Sequence, residues 1–92
     1  MYFKATLLFS ILFSSFLFSQ ISGTVQDQAT GDPLQGVNVT AEESGTATNE
    51  SGEFSIDVPP GTELEFSHIG YHSKSQLAQN GMSVEINPAA IK

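Results

Sequence analysis

The chain has no cysteine and no tryptophan, and only three of its 92 residues are Lys or Arg. Without cysteine, disulfides cannot stabilise the fold, even in a compartment that would permit them. The same absence excludes a lipid anchor carried on an N-terminal cysteine. The few cations stand against ten Asp and Glu, for a formal net charge of −7. That balance argues against nucleic acid, which needs a basic surface to displace its counterions. It argues equally against docking on anionic headgroups. No segment carries the i, i+3, i+4 apolar spacing of an amphipathic helix over a useful length. The nucleophile elbow, the His-Glu-x-x-His zinc motif and the Gly-rich phosphate loop are all missing.

What is present begins with a leader. Lys4 supplies a positive start, and Ala5 to Phe18 is an uncharged, mostly apolar run with Thr6 and three Ser. The run is too short for a membrane helix, which needs roughly 20 apolar residues. It fits a secretory signal peptide over residues 1–19, with cleavage after Ser19. Loss of Lys4 leaves the remainder, with Lys74 and Lys92, one unit more negative. Such charge keeps a small exported domain from self-associating. A single core of this size gives only a few kcal/mol of stability.

The rest alternates with period two. Ile21, Gly23 and Val25 alternate with Ser22, Thr24 and Gln26; Val37, Val39 and Ala41 alternate with Asn38, Thr40 and Glu42. Thr46 to Thr48 reads as a short edge strand. Phe54, Ile56 and Val58 form one strand face, and Leu64 and Phe66 another. Tyr71 to Leu77 is mostly polar and reads as an exposed strand. Met82, Val84 and Ile86 end the pattern after the hairpin signal Asn80-Gly81. Turn residues separate these runs: Gly31-Asp32-Pro33, Asn49 to Gly52, and Pro59-Pro60-Gly61. Six or seven short strands predict an antiparallel sandwich over residues 20–88, followed by a tail at 89–92. Parallel pairing is not expected, because it needs long crossover connections. The predicted core is Ile21, Val25, Leu34, Val37, Val39, Phe54, Ile56, Val58, Leu64, Phe66, Ile69, Tyr71, Val84 and Ile86.

Five short motifs follow one another in order: Ile21 to Val25, Gly31 to Val39, Gly45 to Asn49, Ser51 to Ile56, and Leu64 to Tyr71. Together they resemble the carboxypeptidase regulatory-like domain, in the version found at the N-terminus of SusC/RagA-type TonB-dependent outer-membrane receptors of Bacteroidetes-type bacteria. The Ser67-His68-Ile69-Gly70-Tyr71 segment is the most specific part. The resemblance implies an all-β, transthyretin-like or Ig-like seven-stranded sandwich on the periplasmic side of the outer membrane. Asn49 stands where that family usually has Asp; little change is expected, since both suit turns. The receptors continue into a plug and a barrel, for which 92 residues leave no room. The expectation is therefore a fragment, a truncated product or a free-standing copy of the domain.

The candidate chemistry is sparse. His68, His72 and Glu65 are the one cluster with a metal flavour, but zinc needs three or four converging ligands and the segment reads as a broken strand. Ser67 and His68 are strand neighbours that point to opposite faces, so they are not a nucleophile pair. Glu42, Glu43, Glu50, Glu53, Asp57, Glu63 and Glu65 lack the ligand spacing of a calcium loop. Two Asn-x-Ser/Thr matches, at Asn38 and Asn49, are of a kind common by chance. Gly36, Gly52, Pro33, Gly70 and Tyr71 read as folding residues. No catalytic, cofactor-binding or metal-ligating residue is assigned, and no cofactor is expected.

The function expected is that of a non-enzymatic periplasmic accessory domain. Its partners would be envelope proteins, either the receptor's plug and barrel or the energy-coupling protein. Contact is expected through Tyr71 to Leu77 as an open sheet edge. The alternative is a free-standing sandwich module of an exported protein, used as a stalk or a carbohydrate-contacting unit; the lack of Trp disfavours sugar binding.

Overall fold

The computed structural model describes residues 20–89. The expected leader at 1–19 and residues 90–92 of the expected tail lie outside the described residues. Seven strands run in chain order: β1 Gln20–Asp27, β2 Asn38–Thr40, β3 Gly45–Ala47, β4 Glu53–Asp57, β5 Glu63–Ser67, β6 Lys74–Leu77 and β7 Met82–Ile86. They form two sheets, three-stranded in the order β4-β1-β7 and four-stranded in the order β3-β2-β5-β6. The fold is an all-β sandwich with the seven strands the resemblance implied.

Period-two alternation sets each strand's faces. In β4, Phe54 and Ile56 are buried while Glu53, Ser55 and Asp57 are exposed. In β5, Leu64 and Phe66 are buried between Glu63, Glu65 and Ser67. The two sheets close on one cluster that includes Val25, Val39, Leu64, Phe66 and Val84. Phe54 and Phe66 meet edge to face across it, with ring centroids 5.7 Å apart. Gly23 belongs to the same inward row. A Cβ there would lie 2.6 Å from Met82 Cγ and 2.9 Å from Phe54 Cζ, so the close approach requires glycine.

One pairing corrects the all-antiparallel expectation. The pairs β1–β4, β2–β3, β2–β5 and β5–β6 are antiparallel. β1 and β7 are parallel, with Val25 opposite Val84. A parallel pair does need a long connection. Here that connection is the whole chain from Asp27 to Met82, so the first and last strands lie side by side.

The core also needs three corrections. Ile69, expected inside, is 93% exposed. Leu64 and Phe66 point inward, so strand parity turns position 69 outward, and the chain then bends, with Tyr71 N–H donating to the His68 carbonyl at 3.1 Å. Leu34 and Tyr71 are half-buried and pack against the cluster from its margin. Ala78 and Met82, not expected there, are buried in it.

Candidate functional site

The most specific segment of the sequence, Ser67 to Tyr71, leaves the end of β5 and is pinned against the other end of the chain. Gly70 C=O accepts from Ala89 N–H at 2.9 Å, and Asn87 C=O accepts from His72 N–H at 2.9 Å. Tyr71 packs on the core margin and its hydroxyl donates to Asp27 Oδ2 at 2.6 Å. Asp27 is only 8% exposed. Its other oxygen, Oδ1, accepts from the N–H groups of Ala29 at 2.7 Å and Thr30 at 3.0 Å. The carboxylate therefore closes the turn after β1 and ties that turn to the segment after β5.

The charges follow from these contacts. The Tyr71 hydroxyl holds the Asp27 carboxyl below the ordinary carboxylate range, and the N–H groups of Thr30 and Ala29 add to this against the opposing effect of burial. The same bond raises the Tyr71 phenol above its ordinary value, with burial and the charges of Asp27 and Asp32 acting in the same direction. Near neutral pH the pair is thus fixed as carboxylate and phenol. Each group is moved away from the range where it could exchange a proton at that pH.

His68 sits beside this pair, its ring edge to face with Tyr71 at 5.4 Å. Its Nδ1 is 2.8 Å from the Ile69 carbonyl oxygen and its Nε2 is 3.1 Å from that of Gln35. Ser67 continues the outward row of Glu63 and Glu65, so it and His68 diverge. His72 is exposed. His68, His72 and Glu65 are not brought together; no group of three His, Cys, Asp or Glu side chains is placed to hold a metal ion among the described residues.

Three positions have structural roles that the sequence does not mark. Tyr71, which reads as a folding residue in the sequence, has its hydroxyl on the Asp27 side chain. The spacing of Asp27 to Thr30 marks the local turn, but nothing local marks Tyr71 as its partner. Thr48 was placed in an edge strand and is buried beyond it. Its Oγ1 donates to Leu34 C=O at 2.6 Å and accepts from Val37 N–H at 2.9 Å. Asn49 behaves as expected of a residue in place of Asp. Its Oδ1, an oxygen that Asp also has, accepts from Ser51 and Glu53 N–H at 2.9 Å each.

The second surface of interest is a sheet edge. β6 is the last strand of the four-stranded sheet, hydrogen-bonded only to β5. Ala78 N–H donates to Thr62 C=O at 2.8 Å just beyond the strand. Antiparallel alternation from that bond turns Gln76 and Lys74 toward β5, and the main-chain groups of Ser75 and Leu77 toward the free edge. Leu77 is 60% exposed. The expected edge at Tyr71 to Leu77 is therefore open over its C-terminal half alone, since Tyr71 and His72 are engaged with residues 87–88.

Comparison with known proteins agrees with this architecture. The family described as CarboxypepD_reg-like domain matches residues 21–90. No curated protein matches the chain. Among solved structures, the chain is similar to one from a complex described as a C-terminal interface mutant of a type II cohesin–X-dockerin complex of Acetivibrio cellulolyticus. The TM-score is 0.54 at 18% identity, over 73% of this chain and 51% of that one. At that identity the likeness shows the fold alone, and this chain spans about half the length of its neighbour.

Proposed function

The chain belongs to the CarboxypepD_reg-like domain family, and from that premise we propose that it acts as a non-enzymatic accessory domain in the bacterial cell envelope. In this reading it is exported by the leader at residues 1–19. It works by protein contact on the periplasmic side of a TonB-dependent outer-membrane receptor, with the receptor or its energy-coupling protein as partner. The observation that carries the contact role is the open edge of β6. Sheet edges of this kind bind extended segments through main-chain hydrogen bonds. The receptor context rests on the ordered motifs from Ile21 to Tyr71. Further support comes from the Asp27–Tyr71 pair, whose hydrogen bond ties the turn after β1 to Tyr71 and holds the carboxyl low and the phenol high, as suits a contact that holds the fold.

The test is a photo-crosslinking residue at position 77 in the expressing bacterium, followed by fractionation. The expected result is processing of the leader and a covalent adduct in the envelope fraction that contains an outer-membrane receptor or an energy-coupling protein. Retention in the cytoplasm, or envelope localisation without any protein adduct, overturns the reading. Glycan binding by the isolated protein would move it to an exported carbohydrate-contacting module.

A further inference from the structure

The surface around β6 has a chemistry that its strand geometry alone does not supply. Across the outer face of the four-stranded sheet, Thr40, Glu65 and Ser75 stand in one row. Glu63 and Leu77 stand side by side in the next row. Thr40, Ala41, Glu42, Glu63, Glu65 and Ser75 line a shallow groove that runs up to the edge strand. Two carboxylates, Glu63 and Glu65, therefore flank the edge strand, with Glu42 farther back in the same groove. The small Ser75 side chain leaves Glu65 within reach of a long cationic side chain arriving beside it.

Sheet edges are often guarded by a lysine, a proline or a bulge. β6 has no proline, and its pairing with β5 runs in unbroken register from Glu63–Leu77 to Phe66–Lys74. Lys74, the one Lys or Arg among the described residues, is directed elsewhere: its Nζ donates to Glu85 C=O on β7 at 3.1 Å. The edge is thus unguarded, acidic on its flank, and apolar at Leu77.

We propose that this edge takes up an extended basic segment of a partner protein as a fifth strand of the four-stranded sheet. The segment carries Lys or Arg opposite Ser75 and an aliphatic residue two positions away, opposite Leu77. Main-chain groups of Ser75 and Leu77 provide the pairing. Glu65, with Glu63 and Glu42 behind it, selects the cation. Residues directly opposite one another across an antiparallel pair share a face, so both recognition side chains lie on the acidic outer side. The proposal rests on the contact function above and names the chemistry of its partner.

The test titrates the isotope-labelled full chain with a capped synthetic peptide, Thr-Lys-Thr-Val-Thr-Lys-Thr, and with its counterpart in which Glu replaces Lys. The expected result is binding of the basic peptide alone, with amide shifts and slowed exchange centred on Ser75 and Leu77. Glu65→Gln should weaken binding by roughly two-fold, the lower part of the range for an opposite-charge pair on adjacent strands, because Ser75 stands between the two. Ser75→Pro should abolish it. That residue's N–H points off the sheet, so the β5–β6 ladder is retained. Leu77→Lys, a surface change that guards the edge, serves as a second blocking variant and should also abolish binding. Equal binding of both peptides, or binding centred elsewhere and indifferent to Ser75→Pro and Leu77→Lys, overturns this assignment while leaving the contact function to its crosslinking test. Absence of binding at millimolar peptide overturns it as well. An envelope adduct from position 77 under either of those results shows that the partner chemistry failed and the contact function did not.

Discussion

Tyr71 and Asp27 hold each other in fixed protonation states, and this has consequences at both ends of the pH scale. The folded Asp27 carboxyl lies below its ordinary value, so its contribution is fully present above about pH 4 and is lost as pH falls through the folded value. The folded Tyr71 phenol lies above its ordinary value, so its contribution is present below about pH 10 and is lost as pH rises through the folded value. Urea unfolding across pH should show Tyr71→Phe less stable than the parent in the neutral range. The gap should narrow at both extremes; a pH-independent gap would mean the bond is not formed. Gly52 makes a second prediction at this scale. Its φ is +75°, and a Cβ would lie 2.6 Å from the Val25 carbonyl oxygen. Gly52 C=O also accepts from Val25 N–H at 2.8 Å, so the turn cannot move away without loss. Gly52→Ala should cost ~2 kcal/mol or more in urea unfolding, combining left-handed backbone strain with the clash.

At the scale of the element, parity governs which side chains matter. Phe54 lies inward on β4 against Phe66. Phe54→Ala should destabilise by about 3–5 kcal/mol in equilibrium unfolding. Ile69 is equally apolar but lies beyond the end of β5 on the outward side. Ile69→Ala should fall within about 0.5 kcal/mol of the parent, as surface changes do. The strands themselves should differ in the same way. β1 is paired on both sides, to β4 and to β7, whereas β6 is paired on one. Amide exchange should be slowest in β1 from Ile21 to Val25 and fastest at Ser75 and Leu77. Protection at Ser75 equal to that in β1 would contradict the open edge.

For the whole molecule, the parallel pair sets the cooperativity. β1 and β7 come from opposite ends of the described chain and lie side by side. The segment from Gly70 to His72 meets residues 87–89 next to them. Removal of residues 82–92 would strip β1 of one neighbour and expose Val25, Ile21 and the inner face of the other sheet. The truncated chain should lose its cooperative unfolding transition and its dispersed amide spectrum. A chain that still unfolds cooperatively without β7 would mean that the antiparallel pairs alone suffice.

The fold class, the order and approximate place of the strands and most of the core are legible in the sequence, although β6 begins at Lys74 and not at Tyr71. Period-two alternation and turn residues are local properties, and they place Phe54, Ile56, Leu64 and Phe66 inside without knowledge of any neighbour. The ordered motifs likewise identified the family. Which strands and side chains meet is set by long-range packing. Alternation says which face a residue takes, not which strand lies beside it, so the parallel β1–β7 pair was not legible. The Asp27–Tyr71 bond joins residues separated by 44 positions, and no local pattern encodes such a partner. Ile69 looked like core because it is apolar, but the bend after β5 put it in solvent. The sequence already points to Tyr71 to Leu77 as an open edge, but its free part is confined to Ser75 and Leu77, because residues 87–88 occupy Tyr71 and His72 and β5 covers only one side of β6.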